Sequence, residues 1–304
     1  MKSIIKIFLS PAIATSLLAV IFFAACTKAD YSDDFKPSPP PPIGDYNTSN
    51  DVAKDALVAK WSFENTVDDS IQHLVGLNSG VTFNTGLKGQ GYQGSDVSYA
   101  TYKQPGTIPS LHAFTVSFWM KPISIKGLAR GIFSLNNKND FWGSLDIYLD
   151  NPTLVDTFIF KVHLGSLVAG TSQGQFTDTK VIGAQDKWTS MIITYDDKTS
   201  IFNIYQNSQQ LPVNVGGQQN VRGPVLYVGG TTTPYGPLDF IGNNATAIVM
   251  GTWQWQPNDP DINNTGSQSW AGSFNGGLDE FRIYNRALTA KEVSALFKLE
   301  KLGQ

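Results

Sequence analysis

The acidic residues of this chain argue against the chemistry that cleaves glycosidic bonds. That chemistry needs two closely spaced carboxylates, and a β-strand would present them at alternating positions on one face. The chain has four glutamates, Glu64, Glu280, Glu292 and Glu300. No strand carries the Glu-x-Asp-x-x-Glu arrangement, and Asp146 and Asp150, which share a face of GSLDIYLD, are too short to copy it. We expect those two aspartates on an exposed face or in a turn, and no catalytic pair.

Other reactive side chains are sparse. The three histidines, His73, His112 and His163, lack the spacing of metal ligands. Cys26 is the single cysteine, and a lipid on its sulfur would exclude thiol catalysis. No Gly-x-Ser-x-Gly nucleophile elbow is present, although a Ser-His-Asp triad built from distant positions stays open.

Four aromatic residues have the chemistry to bind a neutral ligand. They are Trp253, Trp255, Trp270 and Tyr235, whose flat faces suit stacking against sugar rings. Trp253 and Trp255 lie two apart in a predicted strand, and therefore on one face. The alternative interpretation places these residues in the core.

The start of the chain predicts export. Residues 1–25 carry two lysines, an apolar run and the pair Ala24-Ala25 before Cys26, which is the order of a secretory signal peptide. A transmembrane helix is the alternative, but Pro11 interrupts an apolar stretch shorter than the roughly 20 residues that a span needs. The place of Cys26 resembles the lipobox of bacterial lipoproteins, which implies a lipid on Cys26 and attachment to a membrane.

Residues 26–50 are predicted to form a stalk. Aspartates at 33 and 34 precede a proline run up to residue 42, and proline runs favour the extended polyproline II conformation. Acidic residues shortly after a lipidated cysteine resemble the surface-export signal of Bacteroidetes lipoproteins. The resemblance implies an outer membrane lipoprotein exposed at the cell surface, with periplasmic retention as the alternative.

Residues 51–304 are long enough for one large domain with its own core. Charged residues make up 15% of the chain and the net charge is -3, so no basic field exists to attract nucleic acid. Low charge with many amide side chains suits a neutral sugar, although turn-rich β-proteins share this composition. The sequence favours no particular oligomeric state.

Short alternating segments predict an all-β domain. The strands are expected at 57–63, 113–121, 157–164, 188–195, 201–206, 225–228, 246–255 and 278–284. One helix is expected from Thr289 onward, because Thr289 and Glu292 have the spacing of a capping box. Many short strands in one domain predict a two-sheet antiparallel sandwich with one short C-terminal helix.

Four segments resemble laminin G-like or concanavalin A-like jelly-roll domains, which are common in Bacteroidetes lipoproteins. The segments are 57–95, AFTVSFWMKP at 113–122, 187–211 and FNGGLDEFRIYNRALTAKEVSALF at 274–297. The chain departs from the family between Leu211 and Trp270, where it spends roughly 60 residues in place of a short connection. We expect specific function in that region or in neighbouring loops.

The resemblance also implies a structural calcium ion and a binding function. In the family, the aspartate that matches Asp279 often holds calcium together with backbone carbonyls, here near Glu64 and Gly86; the alternative is that Asp279 caps a turn. The implied function is non-catalytic, with a glycan or a surface protein as partner. A glycan-binding module is the first hypothesis, a protein-binding adhesin the second and a divergent glycoside hydrolase the third.

Overall fold

The computed structural model describes residues 42–123, 127–150, 156–168 and 171–304. Residues 42–304 form one compact unit, so residues 42–50 of the predicted stalk belong to it. The predicted signal peptide, Cys26 and the rest of the stalk lie outside the described residues. No helix of the described part is both long and apolar enough to cross a membrane.

The described residues form two packed sheets. In spatial order, the first contains β13 (Gln209–Gln210), β12 (Phe202–Gln206), β11 (Thr189–Tyr195), β6 (Phe114–Pro122), β18 (Gly276–Tyr284), β4 (Gln90–Gln93) and β3 (Thr82–Thr85), with β1 (Leu57–Trp61) paired to β18. The second contains β15 (Gln218–Val221), β14 (Val213–Val215), β10 (Thr171–Ile182), β9 (Thr157–Val168), β8 (Leu145–Asp150), β7 (Ala129–Leu135), β16 (Ile248–Met250), β5 (Tyr99–Tyr102) and β2 (Leu77–Ser79). A short strand, β17 (Ala271–Ser273), runs parallel to β7, whereas the other pairings are antiparallel.

The predicted fold class is confirmed. An antiparallel two-sheet sandwich carries one α-helix near the C-terminus, α1 (Ala290–Lys301), and Thr289 caps it with Glu292 as the spacing predicts. Seven of the eight segments expected as strands contain one. The exception is 225–228, which makes only isolated bridges within the described residues.

The strand expected at 246–255 ends early, at Met250. Gly251 follows with a φ of +84°, a left-handed conformation that favours glycine. The chain therefore turns away from the sheet at this point, and Trp253 and Trp255 lie in the turns that follow rather than on a strand.

The first sheet is buried on both faces at its central strand β6. Phe118 on β6 faces the second sheet across the main core, and Trp119 on the opposite face stacks on Phe297 of α1, with ring centroids 5.6 Å apart. The indole N–H of Trp119 donates to Glu300 Oε2 at 2.7 Å. The helix thus covers a face that simple alternation would leave to solvent.

A buried ion cluster joins the two ends of the unit to β18. Arg282 is fully buried, and its Nε lies 3.0 Å from Glu300 Oε1 of α1. Its guanidinium also contacts the Glu280 carboxylate and donates to the carbonyl of Ser49 at 3.0 Å. Because an unpaired buried charge is strongly destabilising, these contacts hold the residue-49 segment and α1 against the first sheet.

Candidate functional site

The outer face of the second sheet carries the polar and aromatic side chains of interest. Asp146 on β8 pairs with His163 on β9, and His163 pairs with Phe176 on β10, so the three share one face. The alternating neighbours Ile147 and Val162 face inward and belong to the main core. This register places an acid, an imidazole and a phenyl ring side by side on the face that points away from the core.

The segment 251–274 covers part of this outer face. It crosses β7 at Gly131, where a Cβ would lie 2.6 Å from the carbonyl carbon of Thr252 and 2.8 Å from the backbone nitrogen of Trp253. Only glycine permits this approach of two backbones. Beyond the crossing, the Trp253 ring lies over Tyr148 of β8 at a centroid distance of 4.5 Å.

The expected exposed platform of Trp253 and Trp255 is corrected by the structure. The two rings do lie together, stacked at 5.0 Å and 14°, but each side chain is 0% exposed. The Trp253 N–H donates to the carbonyl of Ala129 at 3.1 Å, and Trp255 stacks on Phe141 at 4.4 Å. These tryptophans therefore form a buried base and have no face free for a ligand.

Tyr235 is buried as well, and Trp270 is not. The Tyr235 hydroxyl donates to the carbonyl of Gln173 at 2.8 Å, and burial raises the pKa of this phenol. Trp270 is 40% exposed and packs edge-on against Trp253 and Trp255, at 5.5 and 5.8 Å. Of the four predicted aromatic contacts, Trp270 alone keeps an accessible surface.

A cavity of about 310 Å³, which we call the aromatic groove, opens beside this base. Two of its lining side chains are aromatic: Trp142 from the β7–β8 loop and Phe176 from β10, whose rings meet at 5.0 Å and 78°. Trp142 is half-buried and packs on the buried base, 5.9 Å from Trp255, whereas Phe176 is 46% exposed. These two rings form the walls of the groove.

Polar side chains surround the walls. Three amides and one acid also line the cavity: the buried Asn137 and Asn243, the half-buried Gln173 and the exposed Asp140. No lysine or arginine of the described residues lines the groove. The lining is therefore aromatic and amide-rich, without a cation for an anionic ligand.

His163 and glycines form the floor. A Cβ on Gly174 would lie 2.7 Å from Nε2 of His163, and one on Gly165 would lie 3.2 Å from its Cε1. Asp146, expected on an exposed face, is instead fully buried behind His163: its oxygens accept from the Ser134 hydroxyl at 2.6 Å and the Gly143 N–H at 2.8 Å. Asp150 keeps the partly exposed position expected, 2.6 Å from Lys161.

Asp279, Glu64 and Gly86, the residues implied as a calcium site, come together at the turn 86–90. A Cβ on Gly86 would lie 2.5 Å from Asp279 Oδ2, which accepts from the N–H of Lys88 at 3.0 Å; Glu64 Oε2 accepts from the N–H of Gln90 at 3.1 Å. Burial raises the pKa of Asp279 to about 7. Two carboxylates beside a turn are oxygen donors of the type that Ca²⁺ prefers. No group of three or more His, Cys, Asp or Glu side chains converges among the described residues, so an ion would also need backbone carbonyls.

The family comparison agrees with this architecture. Residues 93–241 match the family model described as the concanavalin A-like lectin/glucanases superfamily. This part of the chain is similar to that superfamily. The resemblance seen in the sequence is therefore confirmed, while the Bacteroidetes lipoprotein type stays a prediction. No curated protein matches the chain.

Similar folds occur among solved structures. Domain 4 of AbnA, an extracellular arabinanase from Geobacillus stearothermophilus solved with arabinotriose, has a TM-score of 0.50 and 17% identity over 79% of this chain and 98% of that one. The receptor-binding domain of botulinum neurotoxin type G has a TM-score of 0.48 and 15% identity over 80% of this chain and 51% of that one. At 17% identity, the likeness to domain 4 of AbnA shows the fold and nothing finer.

Proposed function

We propose that this domain is a non-catalytic module that binds a neutral glycan in the aromatic groove. The observation that carries the proposal is the meeting of Trp142 and Phe176 in a cavity that amide side chains also line. Aromatic faces stack on the apolar faces of sugar rings, and amides both donate to and accept from hydroxyl groups. A cavity of about 310 Å³ lies within the usual range for small-ligand sites.

The carboxylates near the groove support binding rather than hydrolysis. Hydrolysis of a glycosidic bond needs two carboxyl groups facing the substrate from opposite sides of the bond. Asp140 lines the groove, but Asp146 lies beneath the floor with both oxygens occupied by hydrogen bonds. The divergent hydrolase is for this reason the weaker hypothesis.

The protein-binding adhesin has a separate surface in its favour. Val75 and Leu77 are exposed apolar side chains beside β2, the edge strand of the second sheet, and line a cavity of about 570 Å³. Exposed apolar residues at a sheet edge are typical of protein contacts. This surface does not include the aromatic groove, so the two hypotheses respond to different substitutions.

The test is glycan binding by matched variants. The full chain, purified in detergent, is titrated calorimetrically with arabinotriose, xylotriose, cellotriose and mannotriose. The proposal predicts that at least one of them binds, that Trp142→Ala abolishes this binding, and that Ile182→Ala, at an exposed apolar position at the far end of β10, leaves it unchanged. Absence of binding to all four sugars, or equal binding by Trp142→Ala, would overturn the proposal.

We also propose that a lipid on Cys26 displays the module at the outer surface of the outer membrane. The charged, apolar and small-residue order before Cys26 supports export, and the acidic residues after it support surface display. Protease treatment of intact cells should remove the module, and Cys26→Ala should release it from the membrane fraction. Protection from protease until the outer membrane is broken would indicate periplasmic retention.

A structural calcium ion at the turn 86–90 is a further part of the proposal. Such an ion would neutralise the buried Asp279 carboxylate, whose ionised form burial disfavours. Millimolar calcium should raise the melting temperature relative to EDTA in the wild type and not in Asp279→Asn. Equal melting in calcium and EDTA would remove the ion from the proposal.

A further inference from the structure

The burial of His163 is not explained by the packing of the fold. The side chain is 4% exposed and its ring lies between Trp142 at 5.6 Å and Phe176 at 4.4 Å, a setting that an apolar side chain would fill equally well. Its Nδ1 is buried without a hydrogen bond, 3.5 Å from Asp146 Oδ2. Because a buried unsatisfied polar group costs stability, a structural role alone does not account for an imidazole here.

The other nitrogen of the ring faces the groove through a gap left by glycines. Nε2 would be only 2.7 Å from a Cβ on Gly174, and the Cε1 edge only 3.2 Å from a Cβ on Gly165. Neither glycine adopts a left-handed φ, so the backbone conformation does not demand glycine at these positions. The two missing side chains leave the imidazole edge open to the cavity.

Asp146 sets which nitrogen is the acceptor. The carboxylate is held by Ser134 and Gly143 and lies on the Nδ1 side of the ring. An anion beside Nδ1 favours the tautomer with its proton on Nδ1, which leaves Nε2 with a free lone pair. A neutral sugar hydroxyl that enters the groove can donate its proton to this lone pair.

We propose that His163 is a specificity-determining residue of the aromatic groove, and that its Nε2 accepts a hydrogen bond from one hydroxyl group of the bound saccharide. The inference rests on the proposed glycan binding and adds the group that reads the hydroxyl pattern. Trp142 and Phe176 stack on any sugar of suitable size, whereas Nε2 of His163 at the floor favours a sugar with a hydroxyl group at one position. A buried acceptor left without its donor penalises sugars that lack this hydroxyl.

Two substitutions separate this role from packing. His163→Leu keeps an apolar side chain between the two rings but removes the acceptor. His163→Gln carries an amide oxygen about as far from the backbone as Nε2 and can restore it. We expect His163→Leu to bind the best of the four trisaccharides at least about tenfold more weakly, the usual effect of losing one good hydrogen bond. His163→Gln should bind within about threefold of the wild type. His163→Leu should melt close to the wild type, because it keeps the packing between the two rings and loses only the long 3.5 Å approach of Nδ1 to Asp146.

A direct readout follows the three histidines of the chain by ¹⁵N NMR. With the wild type and the same trisaccharide, the inference predicts a shift of the His163 Nε2 signal and none for His73 and His112. If the trisaccharide binds, Trp142→Ala abolishes binding, but His163→Leu binds normally and the Nε2 signal stays in place, the inference is overturned while the proposed function stands. If none of the four trisaccharides binds the wild type, both fail.

Discussion

Replacing Trp253 with alanine should destabilise the domain rather than remove a ligand contact. The ring is fully buried and packs against Tyr148 at 4.5 Å, Trp255 at 5.0 Å and Trp270 at 5.5 Å. Truncating a buried tryptophan costs about 3–5 kcal/mol through lost burial and the cavity that remains. The lost hydrogen bond to Ala129 adds about 1 kcal/mol. We therefore expect the free energy of unfolding to fall by about 4–6 kcal/mol, a large part of the 5–15 kcal/mol typical of a whole domain.

Urea unfolding followed by far-ultraviolet circular dichroism measures this change, since removing a tryptophan alters fluorescence directly. Trp142→Ala is the matched control: its ring is half-buried and lies at the groove surface, so we expect a loss of about 1–2 kcal/mol. The slope of free energy against urea should stay unchanged in both variants, as it must for a comparison of two-state unfolding. In glycan binding we expect the opposite order, with the larger direct effect from Trp142→Ala, because this variant loses the stacking face while it remains folded.

The burial of Trp253 would be refuted by an unfolding free energy within about 1 kcal/mol of the wild type, well below the cost of emptying a core position. Equal destabilisation by Trp253→Ala and Trp142→Ala would likewise contradict the division into a buried base and exposed walls. For the same reason Trp253 variants are unsuitable for glycan assays, because their loss of binding would report partial unfolding.

Three further substitutions test other parts of the structure. A neighbouring arginine lowers the pKa of Glu292 from 4.5 to about 2, so its stabilisation is present at neutral pH and lost as the pH falls through that range; Glu292→Gln should melt lower at pH 7 and converge with the wild type near pH 2. Glu300→Ala should cost about 3–5 kcal/mol in urea unfolding because it leaves the buried Arg282 short of a partner, and Glu300→Gln, which keeps an acceptor, should cost less. Gly174→Ala should weaken trisaccharide binding in calorimetry by filling the gap over the groove floor, whereas Gly217→Ala, with no atom within 4 Å of the new Cβ, should not.

The fold was accessible from the sequence because its strands are strongly periodic. Alternation at 57–63, 113–121 and 157–164 located β1, β6 and β9, and the capping pair located α1. Periodicity did not predict that α1 covers the outer face of the first sheet. Both faces of β6 are buried because α1 packs over the first sheet, and nothing in the local pattern of β6 shows that a distant helix will cover it.

The candidate site was only partly accessible. The sequence singled out the aromatic residues after Leu211, but not the burial of Trp253 and Trp255, which depends on the turn at Gly251 and on contacts with β8 that are distant in sequence. Trp142 and Phe176 went unnoticed. Trp142 follows a run of polar loop residues, Asn-Asn-Lys-Asn-Asp, and a tryptophan after such a loop is a signal that could have been used. Phe176 carries no comparable signal, since its outward face follows only from the register of β10 with β9.

The long connection after Leu211 and the strands make different contributions to the groove. The outer face of a jelly-roll sheet is shallow by itself, and the segment 251–274 raises one side of it by crossing β7 at Gly131 and packing Trp253 and Trp255 beneath Trp142. The connection therefore determines the depth and width of the cavity. It also contributes one lining residue, Asn243. The strands and the β7–β8 loop supply Trp142, Phe176 and His163, which line the cavity. Changes in the segment should consequently alter the size of saccharide that fits, whereas changes at the floor should alter which hydroxyl pattern is preferred.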